Sequence, residues 1–106
     1  MANRSTSLAD NKLAVEYSNQ RGLLFLNIER GIHIDNSTLE WLKANIDIVY
    51  THAVLQTQRV FILSDKFYMR TLWVDDVFLV GIYKKDKLPY YLTIDELTKL
   101  KNFLCF

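Results

Sequence analysis

The chain has 106 residues, of which 50% are apolar and 24% charged, and its formal net charge is +1. This length and composition predict one folded domain that needs neither a metal nor a disulfide, and they exclude an intrinsically disordered chain. The near-neutral charge excludes bulk attraction to nucleic acid or to an anionic membrane, so we expect no nucleic-acid partner.

Three features of the sequence bear on the cellular location of the protein. No apolar run approaches the roughly 20 residues of a transmembrane helix, and residues 1–7 lack the apolar segment of a signal peptide. The one cysteine, Cys105, gives no sign of an oxidising compartment. We therefore expect a cytoplasmic protein without membrane insertion, with a flexible N-terminal tail over residues 1–7 and a single α+β domain over residues 8–106.

Residues 7–20 support two interpretations. Ser7 and Asp10 have the spacing of a capping box, and Gly22 would then end a helix. Against the helix stands an alternation of apolar and polar residues that is typical of a strand, at Leu13, Val15 and Tyr17. The helix is the favoured interpretation.

A short hairpin is expected next. Residues 23–28 are apolar on both faces, which predicts a buried strand. Residues 32–34 alternate in character as a second strand would. Because Gly31 closes a polar stretch between them, a turn is predicted over residues 29–31.

A helix over residues 37–56 is predicted from the capping box at Ser37 and Glu40. Its broad apolar face suits packing on a sheet and consists of Leu39, Leu42, Ile46, Val49, Tyr50, Ala53 and Val54. A second apolar stripe on the opposite side consists of Trp41, Ile48 and Leu55. A helix on one sheet needs only one apolar face, so a partner or another part of the chain is expected to cover this stripe.

Residues 59–85 contain three runs rich in β-branched and aromatic residues. Polar breaks at residues 64–66 and 75–76 separate the runs and predict a three-stranded antiparallel meander. Its aromatic residues would suit base stacking, but few basic residues accompany them, so core packing is expected. These aromatic residues are Phe61, Phe67, Tyr68, Trp73 and Phe78.

The last elements complete the predicted fold. Pro89 excludes a central strand over residues 88–92, and a capping box at Thr93 and Glu96 predicts a final helix. The predicted fold is α+β in the order α-β-β-α-β-β-β-α, with a single antiparallel sheet of about five strands, a central helix across one face and terminal helices.

Nothing in the sequence forms a catalytic or metal-binding motif. Two histidines and one cysteine are too few for a zinc site without carboxylates, and isolated glycines supply no phosphate-binding loop. His33 and His52 are expected at the surface, Cys105 as a small apolar residue, and Asp75 and Asp76 as turn residues. We therefore predict that the protein is not an enzyme and has no cofactor.

The order of elements resembles that of roadblock/LC7 and longin-like domains, and PAS-like domains share its hairpin, helix and meander. The resemblance implies a non-catalytic platform or regulator that pairs through its central helix and the following strand, often for small GTPases and motor or signalling assemblies. Together with the second stripe, it predicts a homodimer, or a complex with a homologous protein, through the helix 37–56 and the strand 59–63. The expected interface residues are Trp41, Ile48, Leu55, Val60 and Ile62.

Two other classes of function are open to the same sequence. One is a PAS-like small-ligand sensor whose apolar pocket lies between helix and sheet and is lined by Trp41, Tyr50, Phe61 and Trp73. The other is a small inhibitor or immunity-type binding protein, which matches the size of the chain and its lack of catalytic motifs.

Overall fold

The computed structural model describes residues 3–9, 13–26 and 31–105, and within them lie eight strands and two helices. The first four strands are β1 (Asn3–Ala9), β2 (Leu13–Ser18), β3 (Gly22–Leu26) and β4 (Gly31–Ile34). Helix α1 (Asn36–Val54) follows them. The remaining elements are β5 (Arg59–Ile62), β6 (Phe67–Val74), β7 (Val77–Lys84), β8 (Tyr90–Leu92) and α2 (Ile94–Phe103). Four strands and a helix therefore follow one another twice.

The strands form two antiparallel sheets of four strands each. The first sheet has the order β1-β2-β3-β4, and the second sheet has the order β5-β6-β7-β8. The chain is thus α+β, but the predicted single sheet of about five strands is wrong, and so is the order α-β-β-α-β-β-β-α. The predicted hairpin is confirmed as β3 and β4, although residues 27–30 lie outside the described residues. The predicted meander is confirmed as β5, β6 and β7.

The N-terminal part differs most from the expectation. Residues 3–7 belong to β1, where we expected a flexible tail, and the favoured helix over residues 7–20 is wrong. The period-two alternation prevails because it places Leu13 and Val15 in the core, beside Leu8. Gly22 does not end a helix: it starts β3 with a φ of 92°, where a Cβ would overlap the carbonyl oxygen of Ile34.

The residues that cap helix α1 differ from those predicted at both ends. Its N-cap is Asp35, whose side chain accepts a hydrogen bond of 2.9 Å from the backbone N–H of Thr38, so Ser37 is not the cap. At the other end Gln56 has a φ of 55°, and the N–H of Thr57 donates to the carbonyl of His52, which closes the helix before the predicted end.

The final helix starts as predicted. The hydroxyl of Thr93 accepts from the N–H of Glu96 at 3.2 Å, and the Glu96 carboxylate accepts from the N–H of Thr93 at 2.7 Å. This is the reciprocal pairing of a capping box.

One hydrophobic core joins both sheets and both helices. Helix α1 packs against β3, β6 and β7, and α2 packs against β1, β7 and β8, so each helix contacts both sheets. The rings of Phe25 in the first sheet and Tyr90 in the second lie 6.3 Å apart. Lys84 of β7 also donates a hydrogen bond of 3.2 Å to the carbonyl of His33 in β4. We call the side of each sheet that faces this core its inner face, and the opposite side its outer face.

Candidate functional site

Strand β5 forms one edge of the second sheet. Among the described strands it pairs only with β6. The backbone N–H of Arg59 donates to the hydroxyl of Thr71 at 2.8 Å, so Arg59 faces β6. Because hydrogen-bonding direction alternates along an antiparallel strand, the N–H and C=O groups of Val60 and Ile62 point away from β6. The strand therefore presents a free edge on which another strand can pair.

The side chains beside this edge are apolar and exposed. Val60 is 54% exposed and Ile62 is 67% exposed, both on the outer face. Ile48 on α1 is 51% exposed, and Leu55, the C-cap of this helix, is 67% exposed, on the same side as His52. The ring of His52 lies 5.7 Å from the ring of Phe61, so α1 reaches β5 at this point, whereas in the second sheet it packs mainly against β6 and β7. Four of the five expected interface residues are thus exposed: Val60 and Ile62 on the outer face of β5, and Ile48 and Leu55 on the helix side that carries His52.

Trp41, the fifth expected interface residue, is placed differently. It lies on the same side of α1, but its side chain is partly buried and packs against the core. Its backbone carbonyl accepts a hydrogen bond of 2.8 Å from the side-chain amide of Asn45, one turn further along the helix. Trp41 therefore supports the fold more than it supplies exposed surface.

The outer face of the second sheet is also apolar. Phe67, Met69 and Thr71 of β6 are buried on the inner face, and their neighbours point outward. In register, the outward residues are Val60, Ile62, Tyr68, Arg70, Leu72, Val74, Val77, Leu79, Tyr83 and Tyr91. Only one of them is charged, although the free face of an antiparallel sheet is ordinarily polar.

The first sheet shows the ordinary pattern and serves as an internal comparison. Its outer face carries Ser5, Ser7, Ala14, Glu16, Ser18, Leu24 and His33. Most of these residues are polar, as expected for a face in contact with water. The apolar outer face is therefore a property of the second sheet and not of the whole chain.

Three tyrosines on the second sheet pack together, and we call Tyr68, Tyr83 and Tyr91 the tyrosine cluster. The rings of Tyr68 and Tyr83 are stacked with centroids 4.6 Å apart. Tyr91 meets Tyr83 edge-on at 5.9 Å, and the Tyr83 hydroxyl donates to the Tyr91 hydroxyl at 3.4 Å. Burial, and then the hydrogen bond to Tyr91, raises the pKa of the Tyr83 phenol. The Tyr83 ring lies over Gly81, where a Cβ would overlap it.

An open groove of about 590 Å³ joins the edge to the outer face. Its lining includes Val60, Ile62, Phe67, Tyr68, Lys66 and Lys85. None of the four aromatic residues expected to line a ligand pocket between helix and sheet contributes to this groove. Of the five aromatic residues expected in the core, Phe67 and Phe78 are buried and Phe61 is partly buried, whereas Tyr68 and Trp73 are exposed.

The candidate residues for chemistry lie apart from one another. His33 is exposed on β4, and Asp75 and Asp76 form the turn between β6 and β7, as expected. His52, which we expected at the surface, is only partly exposed, and its Nδ1 atom is buried with no hydrogen-bond partner among the described residues. Cys105 is an exposed free thiol, whereas we expected it as a small apolar residue. Within residues 3–9, 13–26 and 31–105, no group of three His, Cys, Asp or Glu residues could hold a metal ion, and no helix is long and apolar enough to cross a membrane.

Comparisons of the chain with models of protein families, with curated proteins and with solved structures find no match. The geometry of the edge and of the outer face must therefore carry any proposal about function. The resemblance to roadblock/LC7 domains stays a prediction that no comparison tests, and it rested on an order of elements that the structure corrects.

Proposed function

We propose that this protein is a non-catalytic interaction module that self-associates through β5 and the adjoining side of α1. The observation that supports the proposal is the free edge of β5, with exposed Val60 and Ile62 beside exposed Ile48 and Leu55. Native sheets usually protect such an edge with charge, proline or a covering element. β5 carries one charge, Arg59 at its start, but Val60 and Ile62, whose backbone groups point outward, are apolar. Such an apolar stretch of edge is expected where a strand of another molecule pairs.

Symmetry restricts how two copies can pair. A two-fold axis perpendicular to the sheet keeps both outer faces on one side and sets two copies of β5 antiparallel. Centred on Phe61, this pairing places Val60 of one copy opposite Ile62 of the other, and the outward N–H and C=O groups of both residues then form hydrogen bonds across the seam. The two second sheets become one continuous sheet.

The same axis brings the two α1 helices together. Both helices lie on the inner side of the joined sheet, so Ile48 and Leu55 of one copy face those of the other. Full burial of such side chains contributes roughly 1.5–3 kcal/mol each, whereas association costs roughly 4–15 kcal/mol. The short strand pair alone would not offset this cost of association. The helix contacts supply the remaining free energy of binding.

The helix contact is tested with two variants of equal exposure. Ile48 and Val54 are each 51% exposed on α1, but they lie on different sides of the helix. We expect the wild type to be a dimer at micromolar concentration by light scattering after size exclusion. Ile48→Asp should be a monomer with an unchanged circular dichroism spectrum, because it places a carboxylate in the seam. Val54→Asp should remain a dimer.

The strand contact has its own matched pair. Val60 on the edge strand is 54% exposed and Val77 on the internal strand β7 is 52% exposed. A lysine on an edge strand opposes pairing, so Val60→Lys should give a monomer and Val77→Lys a dimer. A wild-type monomer at high micromolar concentration, or equal behaviour within either pair, would rule out this interface.

A further inference from the structure

Arg70 lies at the centre of the apolar outer face of the second sheet. In register it stands opposite Val60 on β5 and opposite Gly81 on β7, over which the Tyr83 ring lies. Its side chain is exposed. No residue within the described part of the chain forms an ion pair or a hydrogen bond with its guanidinium group. An unpaired cation is thus surrounded by aromatic and aliphatic side chains.

The charges around this position are mostly positive. Lys66 and Lys85 border the apolar groove beside Tyr68, and the carboxylate of Asp65 is the acidic group in that groove. The pair Asp75 and Asp76 lies at the far turn of the β6–β7 hairpin. The face therefore combines surfaces for apolar side chains with a guanidinium whose planar fork matches a carboxylate.

We propose that the outer face of the second sheet binds an extended acidic segment of another protein, in which an Asp or Glu is flanked by apolar residues. The carboxylate of the segment pairs with Arg70. One flanking apolar side chain packs on Tyr68 and Tyr83, and the next enters the groove beside Ile62. This inference goes beyond the proposed function, because it concerns side chains on the face of the sheet, whereas the second copy pairs with the backbone of β5; Ile62 borders both.

Two other occupants fit the face less well. A second copy that packed face to face would set Arg70 against strand positions that carry no carboxylate, because in a two-fold contact both surfaces are the same and Arg70 is the one charge on the outward strand positions. A nucleic acid would need a row of cations for its phosphates, and the exposed aliphatic side chains of Val60, Ile62 and Val77 would contribute nothing to base stacking.

Selection from a phage-displayed library of random peptides on the immobilised wild-type protein tests this inference. We expect enrichment of peptides that carry Asp or Glu between apolar residues. One selected peptide, labelled with fluorescein, is then titrated with protein variants by fluorescence anisotropy. Arg70→Glu should weaken binding by more than roughly tenfold, since it removes a charge-assisted hydrogen bond.

The matched control is Arg59→Glu. Arg59 is exposed on the same sheet, but in register it lies on the opposite face to Arg70, and its substitution changes the net charge equally. This variant should bind the peptide as the wild type does. The spectrum of Arg70→Glu by circular dichroism should match that of the wild type, and Tyr91→Ala, on edge strand β8, should weaken binding as a second variant of the same face.

Several outcomes would overturn the inference. They are the absence of enriched peptides, enrichment without acidic residues, equal losses in Arg70→Glu and Arg59→Glu, and tighter binding of labelled oligothymidylate than of any selected peptide. The last result would assign the face to nucleic acid. Ile48→Asp should bind the peptide as the wild type does, so a failure of the dimer and a failure of this face give different results.

Discussion

Asp35 shows how a single side chain sets the start of α1. The backbone N–H of Thr38 donates to its carboxylate, and this hydrogen bond above all lowers the pKa of Asp35 below its ordinary value. We expect Asp35→Ala to lower the free energy of unfolding by about 1 kcal/mol at pH 7, because the N–H groups of the first turn lose their acceptor. Urea unfolding followed by circular dichroism measures the difference.

The pH dependence of the stability difference between wild type and Asp35→Ala tests whether the charged carboxylate of Asp35 caps the helix. Because the pKa of Asp35 is lower in the folded state, its contribution is fully present above the unfolded pKa of about 3.9 and is lost as the pH falls through the folded value. The gap between wild type and Asp35→Ala should therefore shrink below pH 4. Asp35→Asn, which keeps an acceptor oxygen, should lie closer to the wild type at pH 7. A gap that is constant down to pH 3 would contradict the assignment.

Gly81 and Tyr83 form a second pair whose roles depend on each other. A Cβ at Gly81 would overlap the Tyr83 ring and displace it from Tyr68 and Tyr91. We expect Gly81→Ala to cost about 1–3 kcal/mol in unfolding free energy, as overpacking does. In a Tyr83→Ala background the same change should cost much less, or stabilise the strand, because glycine is unfavourable there. A double-mutant cycle by urea denaturation checks this coupling, and additive effects would contradict it.

At the scale of helices and strands, the sequence predicted those features that depend on interactions between residues close together in the chain. The capping box at Thr93 and Glu96 gave the start of α2 correctly, and five of the seven residues on the broad face of α1 are buried. The Ser37 box failed because Asp35, two residues earlier, takes the role of N-cap. A short polar side chain is a good cap at either position, so the sequence does not discriminate between them.

Strand pairing was harder to predict because it is non-local. The alternation at Leu13, Val15 and Tyr17 was visible, but its pairing with β1 depends on residues 3–9, whose polar sequence gives no strand signal. The serines on the outer face of β1, Ser5 and Ser7, look the same in sequence as serines in a flexible tail. The number of sheets could not be predicted for the same reason. The pair β1 and β2, or the hairpin β3 and β4, could each have joined the meander in one sheet.

At the scale of the whole molecule, the candidate site could be predicted only in part. Ile48, Leu55, Val60 and Ile62 were found from their spacing, because an apolar stripe on a helix and a strand that is apolar on both faces are sequence patterns. That the tyrosine cluster and Arg70 share the outer face of the second sheet was not predicted. In residues 68–74 and 77–83, both the even-numbered and the odd-numbered positions are largely apolar. That pattern is equally typical of a strand buried on both faces, so it does not indicate an exposed apolar face.

The two units of four strands and a helix should unfold together, because each helix packs on both sheets and Phe25 meets Tyr90 across them. Phe25 is fully buried in the first sheet, and Trp73 lies in the second. In a Trp41→Phe background, Trp73 is the one tryptophan, so its fluorescence reports on the second sheet.

We expect Phe25→Leu to lower the free energy of unfolding by about 1 kcal/mol. The urea midpoint measured by Trp73 fluorescence should shift as much as the midpoint measured by far-ultraviolet circular dichroism. Glu16→Ala, on the outer face of the first sheet, should shift neither midpoint. If the Trp73 transition stayed in place while the circular dichroism transition moved, the two sheets would be separate folding units and the shared core would not couple them.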